Sequence, residues 1–383
     1  MARFNEADMD RFEAIFLNTY EESRTRFRQQ LARLQSRWPL AMLGRYAVAG
    51  DDSTTLDWIE APPTGPAKRC LIVTTGLHGA EGLAGAAALQ RLIELWLPTI
   101  DPDACGLLLV HAINPWGMRH FRKVNPHNVD LNRNFLDFTD TLPANDDYRL
   151  LDEFLASPQP VGFRWPENLT FLGLVLRLLV EYGFDRIKRA TLLGQYEFPR
   201  GLYFGGQSMQ EETEAIIDLV MTQLSRYPQT LHLDMHTGYG PRGQATLVIS
   251  PEDERPSSHL QHRYNYPWVS KTNPQEFFAI QGDMIDYFTR RAANEYPGHN
   301  YMGMAIEYGT LGESLWALAD SLQATMLENR LYHYGATSDK AAAWAQRRYR
   351  EFYYPSDSDW RASMMADTDR ALEGVLRAEG FIP

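Results

Sequence analysis

The stretch Leu71-Ile72-Val73-Thr74-Thr75-Gly76-Leu77-His78-Gly79-Ala80-Glu81-Gly82 constrains this chain more than any other. Its apolar, β-branched start reads as a strand covered on both faces, because such side chains fill a pleated surface. The strand ends in a glycine-rich turn that carries His78 and Glu81, and the small-residue run from Leu83 to Leu95 reads as a helix. Strand, turn and helix in that order belong to an open α/β sheet, where the carboxyl ends of parallel strands converge on a ligand crevice. An imidazole and a carboxylate three residues apart in such a turn can close on one metal ion, although an ordinary polar turn has the same spelling.

Three later stretches keep company with it. They are Val129-Asp130-Leu131-Asn132-Arg133-Asn134-Phe135, then Asp234-Met235-His236-Thr237-Gly238, then Ala305-Ile306-Glu307-Tyr308-Gly309. The last two close strand-like runs at residues 230–234 and 301–306, so each delivers its polar side chain at a strand end. In this order, over residues 68–312, the four stations resemble the zinc metallocarboxypeptidase superfamily in the broad sense, carboxypeptidase A-like and succinylglutamate desuccinylase–aspartoacylase-like proteins together.

That resemblance implies an α/β fold with three α/β/α layers and a mixed, mostly parallel twisted sheet. It implies one Zn2+ per chain, held by His78, Glu81 and His236, with a position left open for water. By the same resemblance Glu307 is the general base, and Asn132 and Arg133 bind the substrate's terminal carboxylate. An upstream arginine that polarises the scissile carbonyl falls best on Arg122. The segment holding these residues is dense in charge: His120, Arg122, Lys123, His127, Asp130, Asn132 and Arg133 lie within 14 residues. Planar guanidiniums beside Asn suit an anion, and a solvated charged loop is the plainer alternative.

The function implied is zinc-dependent hydrolysis of amide bonds next to a free carboxylate, carboxypeptidase-like, on small peptides. An N-acyl amino acid deacylase of the aspartoacylase type is the neighbouring alternative. A catalytically inactive binding protein on the same fold is a third, against which the presence of Glu307 and all three metal-ligating residues weighs.

Bulk properties narrow the partners. With 383 residues, 44% hydrophobic and 22% charged, the chain has an ordinary globular composition, and the spread of the four stations favours a single domain over residues 1–383. A net charge of −12 argues against nucleic acid and anionic membrane surfaces, both of which need a basic face. Cys70 and Cys105 each start an apolar run and read as buried, reduced and structural. No leader-like start and no apolar run near the ~20 residues of a membrane span is visible, so a cytoplasmic location is expected.

The remaining elements follow from periodicity. Residues 5–37 place Phe12, Ile15, Phe16, Tyr20, Phe27, Leu31 and Leu34 at helical spacing, with room for one break. Strands are expected within residues 44–61 around a turn at 50–53, at 106–111 and at 244–250, with a helix at 209–225. Residues 168–193 read as one long or two short helices, and the aromatic loop 197–206 either walls the substrate pocket or is a surface insertion. Residues 251–298 hold Tyr264, Tyr266, Trp268, Tyr287 and Tyr296, none of which the sequence singles out as a cover for the substrate. Helices at 313–332, 339–352 and 357–379 read as packing elements without chemistry.

Overall fold

The structure is a computed structural model that describes residues 11–271 and 281–383. Eight strands among them form one sheet: β1 (Met42–Ala47), β2 (Thr55–Ala61), β3 (Arg69–Thr75), β4 (Cys105–His111), β5 (Gln229–Gly238), β6 (Ala245–Ile249), β7 (Val269–Lys271) and β8 (Asn300–Gly309). Their order is β1-β2-β4-β3-β5-β8-β6-β7. The central four, β4, β3, β5 and β8, are mutually parallel, while β1, β2 and β6 join antiparallel. The helices are α1 (Tyr20–Gln35), α2 (Gly82–Leu95), α3 (Pro115–His120), α4 (Asp146–Leu155), α5 (Arg164–Glu181), α6 (Phe184–Leu192), α7 (Glu211–Arg226), α8 (Ser257–Tyr264), α9 (Met284–Glu295), α10 (Leu315–Tyr334), α11 (Asp339–Tyr353) and α12 (Ser358–Ala378). A mixed sheet between helices is the fold class that the sequence implied.

Two cores sit on the two faces of the sheet. Leu71 and Val73 of β3 point to one core, with α1, α2, α8 and α12, and Cys70 and Ile72 point to the other, with α7 and α9. That two-sided burial is why the run reads as continuously apolar and does not alternate. Cys70 and Cys105 are buried and unbonded, as expected of small core residues.

The structure decides several alternatives that the sequence left open. The helix expected over residues 5–37 is interrupted, and α1 begins only at Tyr20, where Thr19 caps it. The Thr19 hydroxyl accepts from the Glu22 N–H, and the Glu22 carboxylate accepts from the Thr19 N–H. Phe12, Ile15 and Phe16 precede that cap and still join the same core, while residues 5–10 of the expected span lie outside the described residues. The expected helical span 168–193 is two helices, parted by Gly183 at φ 77°. Together with α4, which the sequence reading left unplaced, they pack on α10 around Tyr148, Leu151, Leu178 and Met326. Residues 197–206 lie against the segment that carries Arg133: Phe204 O accepts from Asp130 N–H, and Pro199 O and Gly201 O accept from the Asn128 amide.

β5 and β8 also run further than expected. They stay in register to Gly238 opposite Gly309, so His236 and Glu307 are cross-strand neighbours inside the ladder and do not lie beyond it.

The turn after β3 is wedged against α3. A Cβ placed on Gly79 would stand 2.1 Å from the Gly117 carbonyl carbon and 2.3 Å from Met118 N, both backbone atoms that cannot swing aside. Gly79→Ala should therefore lower stability by ~1–3 kcal/mol, the usual cost of overpacking. It should be read as a fall in the urea midpoint at constant slope; an unchanged midpoint would mean that the turn relaxes freely and does not set the position of Glu81.

Candidate metal centre

His78 lies in the turn after β3, Glu81 just ahead of α2, and His236 on β5. One ligand atom from each falls within 4.8 Å of the others, and all three side chains are buried. Both imidazoles aim Nδ1 at the same carboxylate, His78 at 2.8 Å from Glu81 Oε1 and His236 at 2.9 Å from Oε2. Thr237 N–H also donates to Oε2, at 3.0 Å. The far nitrogens face carboxylates too: His78 Nε2 is 3.1 Å from Asp130 Oδ1, and His236 Nε2 is 2.5 Å from Asp234 Oδ2.

These carboxylates are themselves held. Asp130 Oδ2 lies 3.2 Å from Lys123 Nζ, and its Oδ1 accepts from Asn132 N–H at 3.1 Å. Asp234 Oδ1 accepts from the Thr74 hydroxyl at 2.7 Å. Thr74 Oγ1 is in turn 3.0 Å from His232 Nε2, and His232 Nδ1 is 3.0 Å from the Tyr301 hydroxyl.

Whether a metal ion fits can be read from the protons. Ionised carboxylates only accept, and every ring nitrogen of His78 and His236 faces one, so each of these contacts calls for a proton or a cation between its partners. A divalent ion in place of the two Nδ1 protons leaves the charge unchanged, while the Nε2–H groups keep Asp130 and Asp234. Remote nitrogens oriented by carboxylates are what metal-ligating histidines ordinarily show. The residues present therefore fit a divalent metal held by two imidazoles and one carboxylate.

The electrostatics agree. Burial opposes charge on His236, yet Asp234 and Glu81 overcome it and hold the ring well above the usual imidazole range. Burial likewise opposes the Glu81 carboxylate, and His78 and His236 hold it below its usual range. At Asp130 burial is outweighed by Lys123, His78 and Arg133. Glu307, crowded by protein yet still reached by solvent, is pushed up to about 7, first by burial, with Glu81 adding and the two imidazoles and Lys123 subtracting.

The other residues singled out in the sequence fare differently. Arg122 is engaged away from the metal group: Nε is 2.5 Å from Glu328 Oε1, Nη2 donates to Asn128 Oδ1 at 3.0 Å, and the guanidinium stands 3.5 Å over the Tyr332 ring. Its neighbour Lys123 supplies the cation at Asp130. The Asn132 amide donates to Asp283 Oδ2 and its oxygen accepts from Met284 N–H, each at 2.9 Å, so it caps α9 and keeps one amide hydrogen spare. Arg133 is buried, donates to Asn132 O and Leu192 O at 2.9 and 3.0 Å, and has an Nε with no partner.

Asp130, Asp234 and Lys123 were not singled out for these parts. Asp-x-His at positions 234 and 236 was the one signal that could have found Asp234. The tyrosines packed on the metal turn come from α11: Tyr349 and Tyr353, with Ala324 of α10, cover Ala80. Helices read as packing elements thus pack on the turn that carries His78 and Glu81, whereas Tyr264 and Tyr266 are core residues.

Asp130→Asn and Asp234→Asn keep shape and remove the charge that orients each ring, so each should weaken metal affinity about 10–100-fold. Chelator competition with Zn2+ as probe measures this, with Asp369→Asn, which breaks a pair with Arg91 elsewhere, as the control. Wild-type affinity in both variants would contradict the orientation.

No curated protein matches this sequence. Solved structures similar to it include carboxypeptidase A from Helicoverpa armigera, at 15% identity over 86% of this chain and 73% of that one, with a TM-score of 0.44. Bovine thrombin-activatable fibrinolysis inhibitor, in complex with tick carboxypeptidase inhibitor, is similar at 10% identity over 87% and 98%, TM-score 0.43. A protein from Shewanella amazonensis SB2B assigned to the succinylglutamate desuccinylase/aspartoacylase family is similar at 16% over 76% and 72%, TM-score 0.37. These are the groups whose motifs the sequence resembles. Residues 16–367 match the family described as "Protein of unknown function (DUF2817)", and the chain belongs to that family.

Proposed function

We propose that this chain is a zinc-dependent hydrolase of amide bonds adjacent to a free carboxylate, acting on small peptides in the manner of a carboxypeptidase. The observation that carries the reading is the convergence of two oriented Nδ1 atoms on Glu81, with Glu307 in register beside His236. Zinc held by His78, Glu81 and His236, one ion per chain, would supply a Lewis acid that polarises a carbonyl and lowers the pKa of water toward ~7.

The chain's own groups supply the rest. Glu307 takes the proton of the attacking water and hands it to the leaving amine nitrogen. Lys123, fixed through Asp130, places a positive charge on the same side of the crevice, where negative charge on the carbonyl oxygen develops. Arg133 selects the substrate: its bonds go to neutral carbonyls, its Nε is unpartnered, and a buried cation of that kind is balanced by an anion such as a carboxylate. Asn132 adds its spare amide hydrogen.

One observation favours an N-acyl amino acid as the substrate. His78, Glu81 and His236 are only 3–6% exposed, and Ala80 between the first two packs against α10 and α11, a closeness that suits a small acid better than an extended peptide.

Glu307→Gln should retain about one equivalent of zinc while kcat falls by the ~10²–10⁴ of general base catalysis. Loss of the zinc would make Glu307 a ligand, and near-normal turnover would remove the mechanism. Arg133→Ala should cost on the order of 10²-fold or more in kcat/KM on a substrate with a free carboxylate, and far less on the corresponding amide. Equal wild-type rates on acid and amide would rule out carboxylate-directed cleavage.

A further inference from the structure

α5 has two apolar faces, and among the described residues the chain covers only one. Phe171, Leu174 and Leu178 pack toward α4 and α10. On the other side Trp165, Leu169, Leu172, Leu176 and Leu179 remain 39–74% exposed, at spacings of four, three, four and three residues. That alternation is the seam of a two-helix coiled coil, whose knobs need a second helix to receive them. Trp316 and Leu315, at the start of α10, are also exposed on the helix that hydrogen-bonds to α5 through Gln323 and Asn168.

Together these side chains leave on the order of 1,000 Å² of apolar surface in water, taking the 150–250 Å² of an aromatic side chain as the yardstick. A soluble monomer rarely exposes a patch beyond a few hundred Å², and a standard interface buries ~800 Å² per partner.

A second observation says what covers the face. Gly173 sits in the middle of α5, on the open side, and a Cβ there would meet no atom within 4 Å. Glycine inside a helix weakens it, and nothing among the described residues requires one at this position. A second helix crossing at the midpoint of the seam does require it, because the missing side chain lets two backbones come close. A flat lipid surface has no such need, and a chain of net charge −12 is repelled by anionic lipid.

We infer that this face is where two copies of the chain meet, α5 crossing its counterpart antiparallel at Gly173. A two-fold axis there makes the contact self-complementary.

Sedimentation equilibrium over roughly 1–100 µM protein, a range in which an interface of standard size is populated, reads the mass directly. The wild type should weigh twice 43.9 kDa. Leu169→Glu with Leu176→Glu, and separately Gly173→Phe, should each weaken association at least 100-fold and leave monomers. All three positions are exposed, so far-ultraviolet circular dichroism and zinc content should stay as in the wild type. A wild-type chain that is monomeric throughout overturns the inference, and one that also floats with phosphatidylcholine vesicles gives the face to lipid. A dimer that survives both variants places the contact elsewhere and overturns it equally.

Discussion

The carboxylate of Glu81, shared between two imidazoles, is the contact on which the rest of the centre depends. It joins a turn after one strand to the interior of the next strand over, so the geometry is only as good as the frame that holds the two. Parallel pairing of β3 with β5 and of β5 with β8 supplies that frame, placing His236 and Glu307 side by side. The turn is tied on its far side as well, where Gly79 N–H donates to Lys123 O at 3.1 Å and the Asn114 amide donates to the same oxygen at 3.2 Å. The turn with His78 and Glu81 and the segment carrying Lys123 are therefore tied together. Such ties are what a crowded site needs: carboxylates at 81, 130 and 234 are buried together, and they are tolerable there because each is matched by protons or cations at fixed distances.

Much of this was legible in the sequence, and the reason is locality. His78 and Glu81 belong to one turn, and His236 and Glu307 stand near the ends of apolar runs, so glycine punctuation and periodicity locate them without tertiary information. The two-sided burial of β3 was readable in the same way. What periodicity does not report is which groups meet across the fold. Asp130 and Lys123 sit in a segment whose charge density was plain, yet their pairing depends on the reach of His78 from another strand. Arg122 and Lys123 are adjacent, and which of them faces the crevice is decided by the path of the chain after α3, where Phe121 takes a left-handed conformation at φ 53°. Amphipathic spacing in α10 and α11 announced a buried face without saying that Ala80 would be beneath it.

The cations near the centre are local ones. Arg133 and Lys123 act on Asp130, set within a molecule of net charge −12. On the proposed reading, an anionic substrate would gain nothing from long-range attraction to such a surface, and its recognition would rest on short contacts.

The row that links Tyr301, His232, Thr74 and Asp234 has a direction. Thr74 gives its single proton to Asp234, so it can only accept from His232 Nε2; burial pushes His232 down to about 4, so the ring is neutral and its Nδ1 accepts from Tyr301. Every hydrogen in the row points toward Asp234, and no member can reverse alone. The row spans β8, β5 and β3, so its polarity is laid down when those strands pair during folding. Which nitrogen of His236 is left facing the crevice is thus written into the sheet interior, before any ligand arrives.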